Sequence, residues 1–347
     1  MKKNLLLMLI CSVCMSSCGK DSPLDDLVDG INGGSTDVYF AGYAIPDVGR
    51  KSIAIYWKNN EVIQLTDGTQ DAEAVHVAIS GKDVHVYGYE EISLGHDYST
   101  TIFRHWKNGK VVSDKDFEMA NIEDIVISDG DVYIIGRGYS KNTSKASYWK
   151  NGEEVILSGG TNKESAKAIF VSGKDVYVAG IEHIYGTWGI PKYWKNGEEV
   201  YISDYKTGVR INSIFVSGSD VYIAGIEYSE TAKYWKNGKG INLTDGEEDS
   251  SANHILVSGN DVYVAGSEWD KKKDMSIAKY WKNGVEVILS DGTEHSEAYS
   301  ILVLGKDVYA AGDSGYIPQY WKNGKAIHLS KLPIYISALK SIAVAPK

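Results

Sequence analysis

The residues of this chain best suited to proton transfer near neutral pH are its eight histidines: His76, His85, His96, His105, His183, His254, His295 and His328. No two are spaced His-x-x-x-His, which would set both rings on one helix face for a metal ion. Three Asp-Gly stretches touch on calcium chemistry: Asp67-Gly68-Thr69-Gln70-Asp71, Asp245-Gly246-Glu247 and Asp291-Gly292-Thr293-Glu294. An EF-hand loop needs alternating acids ahead of its glycine and a distal glutamate, and that pattern is absent. Asp-Gly here reads as turn chemistry. No Gly-x-Ser-x-Gly elbow presents a nucleophile, and no Gly-x-Gly-x-x-Gly or Walker pattern cradles phosphate. Carboxylates are so numerous that no glycosidase-like pair singles itself out. The expectation is a protein without catalytic residues, cofactor or resident metal.

Aromatic side chains are the other chemistry-bearing class, with 24 Tyr and 9 Trp against 5 Phe. Seven of the tryptophans belong to a repeat, because Trp-Lys-Asn recurs at Trp57, Trp106, Trp149, Trp194, Trp235, Trp281 and Trp321. Asp-Val-Tyr or Asp-Val-His alternates with it at Asp37, Asp83, Asp131, Asp175, Asp220, Asp261 and Asp307; steps of 41 to 48 residues between these aspartates signal a repeat architecture. His85 and His105 stand where other copies carry tyrosine, so both read as structural.

One unit, 168–208, sets the strand pattern. Ala168-Ile169-Phe170-Val171 is an apolar run, Ser172-Gly173-Lys174-Asp175 a turn, and Val176-Tyr177-Val178-Ala179-Gly180 a second run. Lys192-Tyr193-Trp194-Lys195 and Glu199-Val200-Tyr201-Ile202 flank Asn196-Gly197, a strong hairpin signal because both turn residues need positive φ. Four antiparallel strands, A to D, result. Adjacent apolar residues such as Tyr193 and Trp194 require burial on both sheet faces, as in a blade between two neighbours. Four strands repeated seven times predict an all-β, seven-bladed β-propeller. The first strand, from Asp37, is a B strand with no A before it, and the last, 338–344, is an A strand with no B after it. The C-terminal A strand is therefore expected to join the N-terminal B, C and D strands and close the ring. A strands line the central channel, and His76 and His254 fall in or beside them.

The first residues follow a different logic. Met1-Lys2-Lys3 is a basic start, 5–13 is apolar, and Met15-Ser16-Ser17 precedes Cys18. This resembles a bacterial lipoprotein signal, whose final cysteine becomes acylated. The resemblance implies a signal peptide at 1–17, lipidation of Cys18 and a flexible polar tether at 18–35, ahead of the propeller that the repeats place at 36–347. It also implies an extracytoplasmic place, held to the bacterial outer membrane by the lipid alone. All three cysteines (Cys11, Cys14 and Cys18) lie in this region, which leaves no pair for a disulfide. The Lys20-Asp21 start of the tether is similar to surface-export signals of Bacteroidetes-type lipoproteins. The repeat itself, Ala-x-Tyr-Trp-Lys-Asn-Gly with Val-Ser-Gly-x-Asp-Val-Tyr-Val-Ala-Gly, is similar to bacterial extracellular HAF-type repeats, a family that implies no activity.

A formal charge of −10 excludes nucleic acid or an anionic lipid surface as main partner, since both need a basic face. The near-identical A–B and C–D turns lie on one face of the disc, and the B–C and D–A connections, which vary, on the other. Positions that differ between copies are free to serve function. The B–C loops offer Tyr98, Tyr139, Tyr185, Trp188, Tyr228, Trp269 and Tyr316, and the D–A loops a crowd of acids that includes Asp114, Asp116 and Glu118. Aromatic planes beside carboxylates suit sugar rings or a protein partner. The expected function is a monomeric, non-catalytic module for a carbohydrate or cell-surface protein. A polysaccharide hydrolase or lyase, and a surface protein with no specific ligand, are the alternatives.

Overall fold

Each Trp-Lys-Asn segment turns the chain back on itself and then ties the turn to the neighbouring strand. The seven turn asparagines adopt φ between 50° and 55°, a region asparagine tolerates. In blade 4, Asn196 Nδ2 donates to Asp175 Oδ1 at 2.8 Å, and Asn196 Oδ1 accepts the Val176 N–H at 2.9 Å. The same two bonds recur in every blade. The lysine of the motif pairs with the other oxygen of that aspartate at 2.6–3.4 Å. In six blades it also lies 5.1–5.6 Å from the centroid of the Asp-Val-Tyr ring. In blade 2 that ring is His85, whose Nδ1 instead lies 2.9 Å from His105 Nε2. Asp-Val-Tyr and Trp-Lys-Asn are therefore two halves of one clamp, which puts the A–B and C–D turns on the same face. The motif tryptophans are 0–6 % exposed, so they are core.

The protein, a computed structural model, is described over residues 36–46, 51–95, 98–138, 145–157, 163–183, 189–202, 208–227, 231–329 and 336–346; side chains at 94–95, 98, 113–121, 137–138, 336–338 and 346 are excepted. The predicted signal peptide, the tether and Cys18 lie outside these residues. The described chain is all β. Blade 4 shows the plan: A is Lys163–Ser172, B Asp175–His183, C Ile190–Lys195 and D Glu198–Tyr201, paired in that order. The last strand, Ile336–Pro346, pairs antiparallel with the first, Thr36–Ile45, and serves as strand A of blade 1. A strands touch their neighbours all the way round, which closes a seven-bladed propeller.

Every A strand slips register opposite the glycine of strand B, as at Ala166/Ala168 facing Gly180. The bulge drives a carbonyl against that glycine: a Cβ on Gly180 would sit 2.1 Å from the Ser165 carbonyl oxygen, and on Gly266 1.8 Å from that of Ser251. Only glycine fits there. The extra residue of each bulge is Lys340, Val75, Glu123, Lys167, Asn212, Asn253 and Tyr299 for blades 1 to 7, and bulges re-aim side chains in just this way.

Two connections differ from expectation. Asp114, Asp116 and Glu118 belong to no loop, because Lys110–Ser128 is one continuous strand that acts as D of blade 2 and then A of blade 3. The segment lacks the glycine or proline that every other D–A connection carries, so nothing breaks the extended backbone. Residues 92–95 and 98–101, Tyr98 included, are likewise strand: Asp83–Gly95 pairs with Tyr98–Lys107, with Ile92 opposite Thr100.

Candidate functional site

The Asp-Gly stretches are Asx turns. Asp67 Oδ1 accepts the Thr69 N–H at 3.0 Å and its hydroxyl at 2.7 Å, Asp291 treats Thr293 alike, and Asp245 accepts the Glu247 N–H at 3.0 Å. No group of three or more metal-ligating side chains forms among the described residues.

In blades 1, 3, 5 and 6 the residue just past the bulge stitches neighbouring A strands together. Ser341 Oγ accepts the Val77 N–H at 3.4 Å, Asp124 Oδ2 that of Ile169 at 3.3 Å, and Ser213 Oγ that of Ile255 at 3.2 Å. His254 takes the same place in blade 6, its Nδ1 accepting the Ile301 N–H at 3.2 Å. Burial lowers its pKa to about 4, and burial with His254 nearby does the same to His76. Both rings are neutral near pH 7, and His254 serves as a structural acceptor.

On the face opposite the clamps, the two candidates with described side chains, Trp269 and Tyr316, are connected through His295 between blades 6 and 7. Trp269 stands on strand B of blade 6, Asp261–Asp270, opposite Ser276, rather than in a loop. Its ring stacks on His295 with centroids 5.4 Å apart. His295 Nδ1 accepts the Ser276 N–H at 3.2 Å, and its carbonyl accepts the Gly315 N–H at 2.8 Å. Gly315 and Tyr316 form the two-residue turn between Asp307–Ser314 and Ile317–Lys322. Tyr316 is 68 % exposed at φ 62°. Trp269 also lines a cleft of about 340 Å³ together with Lys271, Lys272, Lys273, Lys279, Glu248, Glu268 and Asp270. Tyr139, Tyr185, Trp188 and Tyr228 lie outside the described residues, and of Tyr98 only the backbone, at the start of a C strand, is described.

A tyrosine in the left-handed region costs about 1–2 kcal/mol. Tyr316→Asn, which tolerates that conformation, is therefore expected to raise stability by about 0.5–1 kcal/mol in a thermal melt while weakening any ligand held at this turn. An unchanged or lower melting temperature would count against strain at this position.

No protein-family model matches the chain, and no curated protein matches it significantly. Among solved structures, the propeller domain of the trilobed protease from Pyrococcus furiosus, which has an open velcro topology, aligns at TM-score 0.52 and 11 % identity over 86 % of this chain and 95 % of its own. Pyrococcus horikoshii acylaminoacyl peptidase aligns at 0.51 and 13 % over 81 % of this chain and 48 % of its own, so the chain spans about half that enzyme's length. A polysaccharide lyase aligns at 0.47 and 12 % over 81 % and 85 %. The likeness is one of fold alone.

Proposed function

We propose that this protein is a monomeric cell-envelope lipoprotein, acylated at Cys18 and held to the outer membrane through its tether, whose propeller binds a glycan without catalysis. The leader pattern and the HAF-like repeat support the envelope assignment. One observation carries the binding role: Trp269, backed by His295 at 5.4 Å, borders a cleft whose lining includes both lysines and carboxylates. A flat indole offers stacking area at low entropic cost, and the charged rim offers donors and acceptors for hydroxyl groups. Glycan-array screening followed by calorimetry tests it. Trp269→Ala is expected to weaken binding about 30-fold, equivalent to about 2 kcal/mol, with Trp269→Phe retaining most of the affinity. Equal affinity of the alanine variant would remove the cleft from consideration. In cells, Cys18→Ala is expected to abolish palmitate labelling and release the protein from the membrane fraction; persistent labelling would overturn the anchor.

A further inference from the structure

On blades 6, 7, 1 and 2 the bulge residues and their neighbours make an arc of channel wall, toward the loop side, unlike the rest. Tyr299, the bulge residue of blade 7, donates to Asp313 Oδ2 at 2.8 Å. Glu297 sits directly opposite Asp313 in the A–B pairing and accepts from blade 6, at 3.0 Å from Ser251 Oγ and 2.8 Å from Asn253 Nδ2. From blade 1, Tyr43 lies within the fields of both Asp313 and Glu73, and on blade 2 Tyr89 lies within that of Glu73. One ammonium is already at home here: Lys340 Nζ lies 3.7 Å from Glu73 Oε2 and 5.5 Å from the centroid of the Tyr43 ring. Among the described residues no ion pair reaches Asp313 or Glu297. In the opposite arc the bulge residues Lys167 and Glu123 pair with each other at 2.9 Å.

We propose that this arc binds a primary ammonium group carried by an amino sugar, received by Asp313, Glu297 and the Tyr299 and Tyr43 rings as Glu73 and Tyr43 receive Lys340. The inference rests on the glycan reading above and narrows it. Carboxylates beside phenol rings attract a cation through both charge and ring quadrupole, and repel uronates or sulfated sugars. The surplus of negative charge is visible in its neighbours. Tyr43, Tyr89 and Tyr299 are all raised, first by burial and then by these carboxylates. Asp313 is lifted to about 6 by burial and by Glu297, against the Tyr299 bond that favours its charged form. Ser267, bonded to Ser251 at 3.0 Å, precedes Trp269 by two residues on the same side of strand B, so the Trp269 shelf and the arc share one face of that strand.

The test is calorimetry of the full chain with a glucosamine tetramer, its fully N-acetylated counterpart, a galacturonate tetramer and a lysine tripeptide. The amine form is expected to bind about tenfold tighter than the acetylated form near pH 7. That preference should shrink near pH 5, where Asp313 is protonated before binding, and should vanish in Asp313→Asn and in Glu297→Gln. Melting curves of the two near-isosteric variants separate lost binding from lost folding. Equal affinity for amine and acetylated forms, or preference for the uronate, overturns the ammonium site and leaves the glycan reading standing. The lysine peptide binding as tightly as the sugar overturns the amino-sugar assignment. No binding of any saccharide overturns both.

Discussion

A chain ending before Ile336 is expected to lose its cooperative unfolding transition. Strand Ile336–Pro346 is the innermost strand of blade 1, and its side chains face both neighbours. Leu339, Ile342 and Val344 are 0–1 % exposed, packed with Phe40, Ile55 and Trp57 of blade 1 and with Leu302 and Tyr309 of blade 7. Ala343 packs on the other side, with Ala72 and Val77 of blade 2. Burying the three aliphatic chains contributes about 5–9 kcal/mol at about 1.5–3 kcal/mol each. Domains are stable by about 5–15 kcal/mol in total, so their loss removes most of the margin. The truncated chain would also expose the pairing edge of Thr36–Ile45, a template for aggregation. Urea unfolding followed by tryptophan fluorescence should show one steep transition for the intact chain and a broad one at lower urea for the shortened chain. A peptide of residues 336–347 should restore the steep transition. Equal midpoints and slopes would mean that the ring does not depend on this closure.

That closure was legible in the chain because a propeller repeats its structural needs. Asn-Gly, Asp-Val-Tyr and the buried tryptophan recur since each blade needs the same turn, the same clamp and the same filler, and identical columns announce themselves. Lys110–Ser128 was misread because the eye expects a loop wherever the repeat has one, whereas the backbone responds only to the presence or absence of a breaker. The site was harder to see. Trp269 and Tyr316 could be picked out singly, but nothing in sequence says that His295 joins them through its ring on one and its carbonyl on the turn of the other. The bulge column (Lys340, Val75, Glu123, Lys167, Asn212, Asn253, Tyr299) was hidden for a related reason. It is a variable position inside a strand of otherwise constant pattern, where variation between copies is masked by the apolar residues around it. Its signal is nonetheless present: one position after the residue opposite each B-strand glycine, the copies stop agreeing.

A second column carries the largest single-residue effect expected. Two residues before the motif tryptophan stand Ile55, Arg104, Ser147, Lys192, Lys233, Lys279 and Gln319, and two after the B-strand glycine stand Ala44, Glu90, Gly138, Glu182, Glu227, Glu268 and Ser314. Wherever strand C has a cation, strand B has its glutamate, and the four pairs all form. Blade 4 is the extreme. Lys192, 1 % exposed, reaches Glu164 at 2.9 Å, Glu182 at 2.5 Å and Glu199 at 2.6 Å, with the Trp194 and Tyr201 rings 5.6 and 5.1 Å away. Burial pulls the Lys192 pKa down, but the three carboxylates outweigh it and hold the ammonium charged. Burial already raises the Glu164 pKa with the cation in place, and its Oε2 has no hydrogen-bond partner. Lys192→Ile copies the solution of blade 1 on strand C but leaves the acids behind, so it is expected to cost about 3–5 kcal/mol. Carboxylates left without their cation titrate above their unfolded values, a penalty complete above the raised folded values and relieved as pH falls through them toward the unfolded ones. The deficit should therefore be largest near pH 8 and shrink toward pH 5. Adding Glu182→Ala and Glu164→Ala to Lys192→Ile brings blade 4 closer to the Ile55–Ala44 arrangement and should recover much of the loss. Urea midpoints at the two pH values decide it: if Lys192→Ile matches the parent at both, water rather than Lys192 compensates the three glutamates.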